Sequence, residues 1–151
     1  MTASNHFVTG AAISTAVANP WLGIPLAILS HFILDALPHY GCKEFRADNL
    51  AEKKLYFTVL IIDTLLFLAL IAFTIVNLNN FTFAAYGFAA FSPDLVWVYR
   101  YTFLAWIGKV NKPVGKIEHF HSWIQKSETP QGLLVEIPYF IIVGGSLLWI
   151  L

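Results

Sequence analysis

Cysteine is nearly missing from this 151-residue chain. The single residue, Cys42, excludes an internal disulfide and a Cys-x-x-Cys metal site. Charge is scarce as well. Only 12% of residues are Asp, Glu, Lys or Arg, nine basic against nine acidic, so no charge excess argues for nucleic-acid binding. Ser30 and Ser122 adjoin histidines but lack a G-x-S-x-G context, which leaves a nucleophile-elbow triad without its serine. There is no internal repeat, low-complexity tract or soluble linker. The first six residues hold no Lys or Arg, and the apolar run continues past the Ala-Val-Ala at 16–18, so a cleaved signal is not expected.

What is present is apolar: 58% hydrophobic residues and 16% aromatics, a composition that points to a polytopic membrane protein. The length suits one integral-membrane domain over 1–151. Residues 55–76 give about 33 Å of helix at 1.5 Å per residue, enough to cross a bilayer core. Residues 133–151 form another such segment, with Thr129 and Pro130 ahead of it as helix-start residues. The apolar stretch 81–107 is interrupted by Ser92-Pro93-Asp94 and is expected to be a kinked or two-part helix. Asn19-Pro20 divides 7–37 into a hairpin of helices over about 7–18 and 21–37, each near or below a full span. The expected fold is therefore all-α, a transmembrane bundle of about five helices opened by that hairpin.

The nine basic residues fall in two stretches, Lys43, Arg46, Lys53 and Lys54, then Arg100, Lys109, Lys112, Lys116 and Lys126. By the positive-inside rule both are cytoplasmic, in a multi-pass protein of the cell (inner) membrane. Trp21 and Trp149 then fall at the outer interface. Residues 116–126 mix apolar and charged side chains and read as an interfacial element.

Against this background the ionisable residues stand out. His31 and Asp35 lie four apart within an apolar run, and His39 continues the row if the helix survives Pro38. Asp63, Asp94 and Glu136 are the other acids in apolar segments. On the expected topology these acids, and His6, His31, His39, His119 and His121, all fall between the bilayer middle and its cytoplasmic face. Intramembrane ionisable groups are functional by default. Imidazoles and carboxylates without thiolates suit zinc, with manganese or iron as further choices. The proposed ligands are His6, His31, Asp35, His39, His119 and His121. His119 and His121 are two apart and cannot share a helical face. Asp94, at the helix break, either lines a polar cavity or caps the following half-helix. Asp63 and Glu136 are either groups orienting a histidine or a general base, a role also open to Asp94. Glu118 is expected to be solvated.

The stretch Ser30-His31-Phe32-Ile33-Leu34-Asp35-Ala36-Leu37-Pro38-His39, with His6 and Gly10 before it, Pro93-Asp94 in mid-chain and His119 and His121 late, resembles small bacterial membrane-bound metal-dependent hydrolases. These include the LexA-binding, inner-membrane-associated hydrolases. The chain has no His-Arg-Gly-x-Thr-His-Ser stretch, which many members carry. More distantly, His-x3-Asp is similar to a ligand pair of zinc-dependent phospholipase C, and that likeness implies phosphoester hydrolysis. The expected function is thus metal-dependent hydrolysis of a phosphoester or lipid-like amphiphile entering from the cytoplasmic interface, with membrane lipids as surroundings and homo-oligomerisation left open. The alternative is a non-enzymatic membrane protein, either a metal or proton carrier or a scaffold held by a polar cluster.

Overall fold

The computed structural model describes residues 1–41, 50–104, 106–107 and 115–150. Cys42 and the basic residues Lys43, Arg46, Lys109 and Lys112 lie outside them. The chain is mostly helical: α1 (Ala3–Ala16), α2 (Pro20–Ala36), α3 (Leu50–Ala72), α4 (Phe81–Phe91), α5 (Leu95–Tyr99), α6 (Lys116–Ile124) and α7 (Leu133–Ile150). Strands β1 (His39–Tyr40) and β2 (Glu128–Thr129) pair in parallel, His39 opposite Glu128.

The breaks follow local chemistry. Asn19 caps α2 by accepting the Trp21 N–H at 3.0 Å, and Pro20 occupies the first turn, where its missing N–H costs nothing. Asn80 caps α4 through the Phe83 N–H at 3.1 Å. At the other end of α4, Pro93 has no N–H to give the Ala89 carbonyl four residues back. The Ser92 hydroxyl donates to that carbonyl instead, at 2.8 Å. The chain tightens into a 3₁₀ turn over Ser92–Asp94 before α5, so the expected two-part helix is present.

Helix α1 begins earlier than its sequence pattern suggested and is enclosed by α2, α3, α4 and α7. Apolar and polar residues are buried along it alike: Ser4, Asn5, His6, Phe7, Val8, Gly10, Ala11 and Ser14. It crosses α4 at van der Waals contact of the backbones. A Cβ on Gly10 would lie 2.2 Å from the Tyr86 carbonyl oxygen, and one on Gly87 2.5 Å from the Phe7 ring. Small residues permit this approach, as they do between membrane helices. The Tyr86 hydroxyl then donates to the Val17 carbonyl at 2.9 Å, satisfying an acceptor at the end of α1.

Helix α2 shows the polarity of the molecule most plainly. Leu22, Leu26, Leu29 and Ile33 form an exposed stripe, while Gly23, Ala27, His31, Leu34 and Asp35 face inward. Ile61, Ile62, Leu65 and Leu68 of α3, and Ile137, Ile141 and Ile142 of α7, are also exposed. Two helices, Lys54–Asn77 and Pro130–Ile150, are long and apolar enough to cross a membrane. Helices α1, α2 and α4 have 14, 17 and 11 residues, so five full spans are not present among the described residues.

Candidate metal centre

The early residues of α1, the last turn of α2, the 3₁₀ turn after α4, and α6 meet at one end of the bundle. They bring together five of the residues singled out from the sequence: His6, His31, Asp35, Asp94 and His121. All but Asp94 have fully buried side chains, and that of Asp94 is 17% exposed.

Asp35 is the hub. Its Oδ2 lies 2.8 Å from His121 Nε2 and 3.2 Å from His31 Nε2, and it accepts from the Gln125 amide at 3.0 Å. Its Oδ1 faces His6 Nε2 at 3.2 Å and contacts the Met1 amino group. Asp94 closes the group from the other side: Oδ1 is 3.7 Å from His31 Nε2 and 3.6 Å from His121 Nε2, and Oδ2 is 4.0 Å from His6 Nε2. His31 Nε2 and His121 Nε2 are 3.0 Å apart.

The tautomer of His31 follows from its other nitrogen. Nδ1 lies 2.9 Å from the Ala90 carbonyl oxygen, an atom that can only accept. Nδ1 therefore carries the proton, and neutral His31 turns a lone pair at Nε2 toward Asp35, Asp94 and His121. Such a carbonyl contact is how metal-binding histidines are commonly oriented. The carbonyl is free because it belongs to the last turn of α4, where intrahelical donors run out. His31 Nε2 and oxygens of Asp35 and Asp94 are then acceptors around one point, which a proton on His121 Nε2 or a cation between them can satisfy. Ligands about 2.1 Å from a tetrahedral ion lie about 3.4 Å from one another. The separation of the two imidazole nitrogens of His31 and His121, and their separations from Asp35 and Asp94, run from 2.8 to 3.7 Å and bracket that value. These four residues form a group that could hold a metal ion.

The remaining residues expected at the site have other surroundings. Leu37 ends α2 in extended backbone ahead of Pro38, so His39 leaves the row and enters β1, where Nδ1 donates to the Leu37 carbonyl at 2.8 Å and Nε2 lies 3.8 Å from Glu128. His119 is exposed on α6, two residues from buried His121. Asp63 accepts from the backbone N–H groups of Ala3 at 2.8 Å and Ser4 at 3.1 Å, and from the Ser4 hydroxyl. Glu136 accepts from the N–H groups of Thr2 at 3.1 Å and Tyr40 at 2.8 Å, and from the Asn5 amide at 3.3 Å. These two acids thus bind the unsatisfied donors at the start of α1, the helix that presents His6. Glu118, expected to be solvated, pairs with Arg100.

Sequence reasoning did not single out Gln125 or the Ala90 carbonyl. Gln125 could have been found, since it lies one turn beyond His121 and a continuing helix puts both on one face. The Ala90 carbonyl carries no signal in residue type.

Comparison with protein-family models, with curated proteins and with solved structures finds no match to this chain.

Proposed function

We propose that this protein is a multi-pass membrane hydrolase that uses a divalent ion, zinc in first place and manganese or iron in second, to cleave a phosphoester or lipid-like amphiphile. The observation that carries the reading is the convergence of His31 Nε2, His121 Nε2 and Asp35 Oδ2 on one point, with the His31 tautomer fixed from behind by Ala90. Two histidines and a carboxylate are a known ligand set for catalytic zinc, which keeps a further position open. A bound ion supplies Lewis acidity, acidifying water toward neutrality and polarising a phosphoryl or acyl oxygen.

The other parts fall to the chain itself. Asp94 is the member of the cluster with some outside exposure and the longest distances to the imidazoles. It is therefore the group suited to receive the proton of an attacking water. The Gln125 amide steadies Asp35 and His121, donating to Asp35 Oδ2 at 3.0 Å and lying 3.2 Å from His121 Nε2. Asp63 and Glu136 act as positioning residues by anchoring the start of α1.

The membrane setting is part of the same proposal. The apolar outer stripe of α2, opposite its inward His and Asp, suits lipid outside and chemistry inside. The shorter helices then cross by local thinning of the bilayer or in company with the longer ones. Lys54, Arg100, Lys116 and Lys126 lie in or beside the segments expected on the cytoplasmic side. A substrate of this class reaches the site with its head group at that interface. The resemblance to membrane-bound metal-dependent hydrolases agrees with this assignment.

A competing reading has its own observation: both oxygens of Asp35 already have neighbours among the amino group, three imidazoles and an amide, as in a closed structural network. Activity separates the two. In mixed micelles with zinc or manganese, the purified protein is expected to hydrolyse a generic phosphodiester or phospholipid, chelator is expected to stop it, and Asp94→Asn is expected to lower turnover by about 100-fold or more. Absence of turnover across phosphodiester, phosphomonoester and acyl-ester substrates by metal-loaded protein rejects the hydrolase.

A further inference from the structure

The four-residue group leaves His6 unexplained. Its side chain is fully buried, and neither ring nitrogen has a hydrogen-bond partner among the described residues. A buried imidazole in that condition has given up water without replacement. It nevertheless faces the cluster: Nε2 is 3.2 Å from Asp35 Oδ1 and 4.0 Å from Asp94 Oδ2. They are not the oxygens nearest His31 and His121, which are Asp35 Oδ2 and Asp94 Oδ1. Each carboxylate therefore divides its two oxygens between two neighbouring points, Asp35 Oδ2 and Asp94 Oδ1 toward one, Asp35 Oδ1 and Asp94 Oδ2 toward the other.

The rings carry the same duplication. His6 stacks on His31 with centroids 3.9 Å apart and planes 21° from parallel. Two nearly parallel imidazoles that each direct Nε2 along their own plane serve two positions separated by about the stacking distance. Paired metal ions in hydrolytic sites are about 3.5–4 Å apart. A carboxylate spanning such a pair, one oxygen to each ion, matches the disposition of Asp35 and Asp94.

We propose that the site is dinuclear, with a second divalent ion held by His6 Nε2, Asp35 Oδ1 and Asp94 Oδ2 beside the first at His31, His121, Asp35 Oδ2 and Asp94 Oδ1. The proposal rests on the metal-site reading above and extends it. It gives Asp35 and Asp94 the role of bridges, so that with both ions bound Asp94 ligates instead of receiving the proton of the water, and it gives His6 the role of a ligand to the second ion alone. Two adjacent ions clamp the attacking and leaving oxygens of an in-line displacement, and this favours a phosphoester over a carboxylic ester as the substrate.

The test loads the detergent-purified full chain with Mn(II), removes the excess, and measures bound metal per chain together with the electron paramagnetic resonance spectrum. The expected result is two ions per chain with the exchange-coupled signal of a carboxylate-bridged pair. His6→Ala is expected to bind one ion, with the signal of isolated Mn(II). One ion per wild-type chain with an uncoupled signal overturns the dinuclear site while leaving the mononuclear one standing. No bound ion in a folded protein overturns both. Should His6→Ala fail to fold, the wild-type stoichiometry and coupling decide the question by themselves.

Discussion

Asp35→Asn is expected to strip the protein of its divalent metal while the helices remain assembled. Among the described residues Asp35 is the one within 3.2 Å of all three clustered imidazoles, through Oδ1 to His6 and through Oδ2 to His31 and His121. The amide keeps the shape of the side chain. It removes the charge and replaces one oxygen ligand with an NH₂ group that has no lone pair for a cation. Loss of a group that merely orients a ligand costs about 10- to 100-fold in metal affinity, so removal of a direct ligand should cost at least about 100-fold, and turnover should fall with it. Far-ultraviolet circular dichroism and elution volume in detergent should stay those of the wild type, since the apolar helices pack elsewhere, above all where α1 crosses α4. A scaffold predicts the reverse. There the same change removes a buried charge partner, at a cost of about 3–5 kcal/mol, and metal content is unaffected.

Chelation should lower the stability of the wild-type protein by a large and reversible amount. An ion that binds only the folded state stabilises it by about 4 kcal/mol when its free concentration is about 1,000 times the dissociation constant. The melting temperature in detergent should therefore rise with zinc concentration and fall back when chelator is added. His121→Ala should melt near the temperature of the chelated wild type and respond weakly to either addition. His121 comes from α6, which is not one of the four helices that enclose α1, so its loss tests the ion rather than the bundle. A wild-type melting curve indifferent to both zinc and chelator would contradict the metal centre.

The parts of the site that the sequence made legible are those set by short-range periodicity. The four-residue spacing of His31 and Asp35 places both on one face of α2. The Pro93 break exposes Asp94 for the local reason that a proline cannot donate. His119 and His121, two apart on one helix, face differently, and the first is exposed while the second is buried. Tertiary contacts decided the rest. His39 was in register with His31 and Asp35 only if the helix passed Pro38; the chain turned there and found a partner 89 residues later, Glu128 across a two-residue parallel pair. Residue type alone marked Asp63 and Glu136 as buried acids, but their hydrogen bonds go to N–H donors of a helix start far away in sequence, and no local pattern encodes that pairing. The shortness of the helices beside Asn19-Pro20 was legible in the sequence, yet the expected count of about five membrane helices included them, and α1 and α4 prove to have 14 and 11 residues, too few to cross unaided.

The most direct test of the centre is X-ray absorption at the zinc edge of protein loaded with one equivalent and freed of excess metal. The proposed centre predicts a first shell of nitrogen and oxygen alone, at about 2.0–2.1 Å, with the outer-shell scattering of two imidazoles from His31 and His121 that diminishes in His121→Ala. A first shell with sulfur at about 2.3 Å, or one without imidazole scattering, would place the metal elsewhere and contradict the assignment.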